Sequence, residues 1–151
     1  VRTLDHDDVP DQPWRNGGGT TRELHRDERW RLSIATIVAT PVGSVEFSTF
    51  PGVDRTFVVA RGALVLTVSG VEHRLGPGDL LRFAGEDAVT ARPDGVVTAV
   101  NVMTTRPHRA SVRVGEPAAA EAAVDLATLR AHFAVEPGDL HARAVVVEGV
   151  W

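Results

Sequence analysis

Residues 51–103 read PGVDRTFVVARGALVLTVSGVEHRLGPGDLLRFAGEDAVTARPDGVVTAVNVM, and this stretch decides the fold. Turn signals recur along it: Pro51-Gly52, Arg61-Gly62, Ser69-Gly70, Gly76-Pro77-Gly78-Asp79, Gly85-Glu86-Asp87 and Pro93-Asp94-Gly95. Glycine supplies positive φ, proline presets φ, and aspartate hydrogen-bonds its own backbone, so each signal has a mechanism. Between them lie short apolar runs: Phe57–Ala60, Ala63–Val68, Val71–Leu75, Leu80–Phe83, Ala88–Arg92 and Val96–Met103. Strands of this length, punctuated every ~8–12 residues, predict an all-β sandwich or barrel.

Upstream, Trp30-Arg31-Leu32-Ser33-Ile34 alternates apolar and polar residues. Trp30, Leu32 and Ile34 share one face of a strand, with Arg31 and Ser33 on the other. The following residues, Ala35 to Ala39, are almost wholly apolar, as in a strand passing from a half-solvated edge into a core. Downstream, the segment from Pro117 to Phe133 predicts the one substantial helix. Proline fits a first helical turn, alanine favours helix, and Leu126, Leu129, Arg130 and Phe133 have helical spacing. An alanine-rich linker is the competing reading, and Asp125 is a candidate cap for a shorter helix from Leu126. A last apolar strand covers Ala144–Val147. Gly76-Pro77-Gly78-Asp79-Leu80 is echoed by Glu136-Pro137-Gly138-Asp139-Leu140, either as two similar β-units or as one common turn used twice.

Composition narrows the function classes. The chain has 151 residues, the size of one domain or two small fused units, and 43% hydrophobic residues suffice for a core. A net charge of −4 argues against nucleic acid as the main partner, because phosphate neutralisation needs a basic face. With no tyrosine and one methionine, an aromatic platform for single strands is also not expected. The absence of cysteine rules out disulfides and thiolate zinc sites. No apolar run approaches the ~20 residues of a membrane span. Val1 to Asp11 has no signal-peptide core, so the expectation is a soluble, cytoplasmic protein with no membrane partner.

Four segments carry a family resemblance. Pro13-Trp14-Arg15-Asn16-Gly17-Gly18-Gly19-Thr20-Thr21-Arg22-Glu23-Leu24 is followed by Trp30-Arg31-Leu32-Ser33-Ile34-Ala35. Phe47-Ser48-Thr49-Phe50-Pro51-Gly52-Val53-Asp54-Arg55 and Val100-Asn101-Val102-Met103 complete the series. Together, and in this order, they resemble the HutD/Ves family of cupin proteins, although that family usually has Lys where this chain has Arg15. The resemblance implies a cupin-type β-barrel or jelly roll, and a bicupin in which two small barrels are fused. On that reading residues 1–151 form one HutD/Ves-like domain, with the main barrel at about 13–106 and a shortened second unit at 107–151. The family is associated with bacterial histidine utilisation, as a modulator of the pathway.

Metal binding is not expected. Most cupin enzymes use a His-x-His pair, a downstream Glu and a later His, and this chain has no His-x-His. Ala88, Val89 and Thr90 stand near where the last ligand would sit, and Arg55 beside such a site would oppose a cation. Gly17-Gly18-Gly19-Thr20-Thr21 lacks the Lys-Ser/Thr pair of a phosphate loop. It reads as a glycine turn crossing close to another backbone, or as a loop over the barrel mouth with Thr20, Arg22 and Glu23 projecting toward or bracing that mouth.

Arg22 and Arg55 lie in the resembling motifs, near the expected opening. A guanidinium binds a carboxylate bidentately, so either would select an anionic small molecule; the other reading is an internal salt bridge with Glu23 or Asp54. Asn101 and Met103 share a strand face, and a buried Asn101 needs partners, from a ligand or from the protein. Trp14 and Phe50 are candidate pocket walls or plain core. The expected ligand-binding set is therefore Trp14, Asn16, Thr20, Arg22, Glu23, Phe50, Arg55, Asn101 and Met103, without cofactor or metal. The expected function is a metal-independent cupin that binds a small carboxylate, which the resemblance would draw from histidine degradation, such as urocanate or a formylated amino acid. The alternative is a metal-independent isomerase or hydrolase, with Glu23 or Asp54 moving a proton. Exposed edge strands also offer a route to a homodimer.

Overall fold

The computed structural model describes residues 2–151. It is all-β apart from one 3-10 turn, His6–Asp8. The strands are β1 (Arg2–Asp5), β2 (Gln12–Pro13), β3 (Gly19–Arg26), β4 (Trp30–Ile37), β5 (Val45–Glu46), β6 (Val53–Val68) and β7 (Val71–Leu75). They continue as β8 (Leu80–Ala84), β9 (Val89–Thr105), β10 (Ala110–Gly115), β11 (Ala120–Asp125), β12 (Arg130–Val135) and β13 (Ala144–Val150). One eight-stranded sheet runs β2-β3-β4-β9-β6-β7, with β5 paired to β9 and β8 to β6. A five-stranded sheet runs β1-β12-β11-β13-β10. Among the described residues neither sheet closes by hydrogen bonds, so the expected all-β fold takes the form of two open sheets. Residues 107–151 supply four strands of the smaller sheet, and the N-terminal β1 completes it.

Two expected turns are bends inside long strands. Arg61-Gly62 lies within β6 and Pro93-Asp94-Gly95 within β9, and the two bends face each other across the ladder, where Arg61 pairs with Thr98 and Ala63 with Asp94. Paired bends let both strands turn together while their pairing continues. Gly62 sits at φ 83°, and a Cβ there would lie 2.5 Å from the Val96 carbonyl oxygen.

The helix expected over Pro117 to Phe133 is not formed. This segment is the hairpin β11–β12, and Ala122, Ala123 and Val124 are essentially sealed from solvent. Burial on both faces of a sheet overrides the modest helical preference of alanine. Asp125 caps the turn instead of a helix, its Oδ1 accepting from Ala127 N at 2.8 Å and Thr128 N at 3.2 Å. Leu129 follows at φ 61°. The repeated Pro-Gly-Asp segments are the same turn built twice. Asp79 Oδ2 accepts from Gly76 N, and Asp139 Oδ2 from Glu136 N, each at 2.8 Å.

The outer faces of β4, β6 and β9 pack on the smaller sheet. Trp30, Leu32, Ile34, Val58, Val100 and Val102 meet Ala122, Val124, Ala131, Phe133, Val145 and Val147 in one continuous core. A second core fills the concave side of the larger sheet, with Ile37, Val45, Phe57, Val59, Leu66, Ala91 and Val97.

Candidate functional site

The concave face of the larger sheet changes character along its length, because residues i, i+2 and i+4 of a strand share a face. Register stacks these residues in rows across β4, β9 and β6. The deepest row is Ala35, Ala99 and Val59; the next is Ser33, Asn101 and Phe57; the outermost is Arg31, Met103 and Arg55. The apolar floor of the cavity thus gives way to an amide, then to two guanidiniums. Above these rows opens a cleft of about 590 Å³. That lies within the range of small-molecule sites.

Two loops wall the cleft. The first is the Trp14–Gly18 turn. Asn16 fastens it, accepting from Gly18 N at 2.9 Å and donating to the Glu46 carbonyl at 2.9 Å. Gly17 takes φ 73°, whereas Gly18 and the adjoining Gly19 are there because the chain is pressed against its neighbours. A Cβ on Gly18 would stand 2.3 Å from Val45, and one on Gly19 would stand 2.4 Å from the Thr36 carbonyl oxygen. Trp14 donates to Thr21 Oγ1 at 2.7 Å and meets Phe47 edge-on, with centroids 5.7 Å apart. The second wall is the Phe47–Phe50 segment, between β5 and β6.

Arg55 is the centre of the arrangement. It is 7% exposed. Its guanidinium carbon lies 5.5, 5.3 and 5.1 Å from the ring centroids of Phe47, Phe50 and Phe83. Its polar contacts are long: Nη1 donates to the Ser48 carbonyl and Nη2 to Asn101 Oδ1, each at 3.4 Å. Its Nε is buried without a partner. No carboxylate pairs with it among the described residues. Burial, with a smaller contribution from neighbouring Arg31, pushes its pKa down to about 10, so it stays cationic near neutrality. A buried, uncompensated charge costs several kcal/mol, and the aromatic faces return only part of that. Arg31, by contrast, is neutralised: its Nε lies 3.0 Å from Glu23 Oε1.

Of the expected residues, Trp14, Asn16, Phe50, Arg55, Asn101 and Met103 line this cleft. Thr20 and Arg22 do not. They lie on the opposite face of β3, and Arg22 Nη1 donates to the carbonyls of His6 and Val9 at 2.9 and 3.0 Å, tying down the N-terminal segment. Glu23 does not line the cleft but holds Arg31. Asp54 points away from it and pairs with Arg106 at 3.4 Å. Thr21, Arg31, Ser33 and Phe47 line the cleft without having been singled out. The alternation around Trp30 already placed Arg31 and Ser33 on one face; that face lines a concavity instead of bulk solvent. Among the described residues, no three His, Asp or Glu side chains cluster as a metal site, and no helix is long and apolar enough to cross a membrane.

The HutD family model aligns with residues 6–143. The chain belongs to the HutD family. It is 38% identical over 119 residues to Protein Ves of Citrobacter koseri, covering 72% of this chain and 60% of that protein. It is 40% identical over 101 residues to a 21.2 kDa protein from the hutC 3′ region of Pseudomonas putida, covering 61% of this chain and 51% of that one. The chain thus spans about half to three-fifths of the length of these curated HutD-type relatives. Among solved structures, HutD from Pseudomonas fluorescens SBW25, described as the formate condition, superposes with a TM-score of 0.76 at 26% identity, covering 97% of this chain and 96% of that one. A Cupin_2 domain of an XRE-family regulator from Enterobacter cloacae matches 57% of this chain and 95% of that one, with a TM-score of 0.51 at 20% identity. That likeness places the HutD chain within the cupin fold.

Proposed function

We propose that this HutD-family chain binds a small carboxylate in the cleft at Arg55, without a metal ion, and that this binding modulates histidine catabolism. The observation that carries the reading is Arg55 itself. A cation buried among three phenylalanines, with an orphaned Nε and two long hydrogen bonds, is a poor structural residue and a prepared anion receptor. A carboxylate seated there supplies the missing charge and accepts the unsatisfied N–H groups. Asn101 and Ser33, one row deeper, offer polar contacts to the anion or its substituent. Trp14, Phe47 and Phe50 offer apolar walls for the remainder. The description of the Pseudomonas fluorescens HutD structure as a formate condition fits this chemistry. The link to histidine catabolism rests on the names HutD and hutC among the relatives. The enzymatic alternative draws less support, since Glu23 and Asp54, its expected proton carriers, are both held in ion pairs outside the cleft.

Thermal unfolding against urocanate, formylglutamate, formate and unrelated carboxylates tests the reading, with divalent metals and a chelator run separately. A ligand at ~100 times its dissociation constant adds ~2.7 kcal/mol of stability. The expected result is a rise of several degrees with a subset of the acids, absent in Arg55→Ala. Stabilisation by metals alone, or by no acid, contradicts it.

A further inference from the structure

A second cleft, of about 780 Å³, opens at the seam between the two sheets. Its base is formed by Thr56 and Thr104, which are 8% and 5% exposed. Each alternates along its strand with a residue of the first cleft, so these hydroxyls lie on the opposite face of β6 and β9, and the two clefts meet at Arg55, which lines both. Arg82, opposite Thr56 in register, forms one wall. The turn Arg106–Arg109 between β9 and β10 forms the other.

The charges here are unbalanced. Four guanidiniums, of Arg55, Arg82, Arg106 and Arg109, and the His108 imidazole line the cleft with one carboxylate, Asp54. Arg106 is already paired, with Asp54 at 3.4 Å and with Glu86. Arg82 donates only to the Val112 carbonyl, at 2.5 Å. Neither Arg82 nor Arg109 has a carboxylate partner among the described residues. The turn that presents Arg109 is fixed, because its backbone exchanges hydrogen bonds of 2.9 and 3.0 Å with Trp151.

We propose that this seam cleft is a phosphate-group site, centred on Arg82 and Arg109 and adjoining the first cleft at Arg55. A monocarboxylate offers two oxygens and one charge, which a single guanidinium fork satisfies. A phosphate carries about −1.5 to −2 charges on three acceptor oxygens. That demand matches two uncompensated guanidiniums set beside two recessed hydroxyls. The volume exceeds that of the anion alone, so the phosphate arrives either as the inorganic ion or as a monoester of a small molecule.

The test is an NMR titration of the whole chain that follows the arginine Nε–Hε signals. One arm uses inorganic phosphate, a second a sugar phosphate, and a third a chloride control at matched ionic strength. The expected result is saturable movement of the Arg82 and Arg109 signals in at least one phosphate arm, absent with chloride. Tighter binding of the sugar phosphate identifies a monoester site, and equal binding an inorganic phosphate site. Arg109→Ala, an exposed position with no side-chain partner to lose, should weaken binding on the order of tenfold. Arg74→Ala, an exposed arginine on distant β7, should not. The proposal is overturned if phosphate moves the Arg55 signal and spares Arg82 and Arg109. Equal weakening by Arg74→Ala overturns it too, as does the absence of saturable movement in either phosphate arm.

Discussion

The two faces of strands β4, β6 and β9 are built from alternate residues of the same chain, yet they do different work. The face toward the smaller sheet is apolar through its middle, with Leu32, Val58 and Val100 fully buried, and turns polar at Thr56 and Thr104. The concave face starts apolar at Ile37, Val59 and Val97 and ends in Arg31, Arg55 and Met103. Cohesion of the two sheets resides on the first face. The second gives up packing at one end in order to hold an unpaired cation beside an open cleft. Stability and the proposed binding should therefore be separable by substituting neighbours one residue apart.

The largest contrast is expected at Leu32 and Ser33. Leu32→Ala should cost about 2–5 kcal/mol through lost burial and the cavity left behind. Ser33→Ala, on the other face of the same strand, should change stability by under about 1 kcal/mol. Urea unfolding of both variants checks this; equal losses would break the division between the faces.

The next effect has the opposite sign. Arg55→Met removes a buried charge while filling much of the same volume, and should stabilise the protein by about 1–4 kcal/mol. The same variant should lose carboxylate binding. A destabilised Arg55→Met protein would mean that Arg55 is a structural residue after all. Gly19→Ala should cost about 1–3 kcal/mol, because its Cβ meets the Thr36 backbone oxygen instead of a yielding side chain. It tests whether the turn over the cleft is as tightly seated as the outer face; denaturant midpoints read it.

The smallest effect lies on neither face. Glu86 Oε2 accepts from Gly52 N at 3.1 Å, and this bond, followed by that to Arg106, holds its carboxyl below the usual carboxylate range. A depressed carboxylate contributes stability above its unfolded pKa and loses it as pH falls through the folded value. Glu86→Gln should therefore be slightly less stable than the parent at neutral pH, with the gap closing in acid below the ordinary carboxylate range. Unfolding midpoints across a pH series measure it, and a gap that persists in acid would contradict the assignment.

Much of the fold is legible in the sequence. Period-2 alternation at Trp30–Ile34 gave the correct faces of β4, and the turn signals located β7 and β8 closely. The two bends at Arg61-Gly62 and Pro93-Asp94-Gly95 were not legible as bends. A turn signal marks a change of backbone direction, but only pairing across the ladder tells whether a strand resumes. The 117–133 segment misled because helical spacing of Leu126, Leu129 and Phe133 is a local pattern, whereas the burial of Ala122 and Ala123 depends on β13, more than twenty residues away. Within the cleft, Arg55 and Asn101 were found from residue chemistry. Arg22 was placed there for the same reason and lies elsewhere, because chemistry alone does not say which side of a strand faces the concavity.

Arg55 is, in the function proposed above, a cation waiting for an anion. The Arg55 Nε–Hε signal, followed by NMR while small carboxylates are titrated into the protein at neutral pH, reports on this. The expected result is a saturable downfield movement with at least one acid, as the orphaned Nε–H gains an acceptor, while the Arg22 signal stays fixed. An Arg55 signal unmoved by every acid at high concentration would contradict the claim.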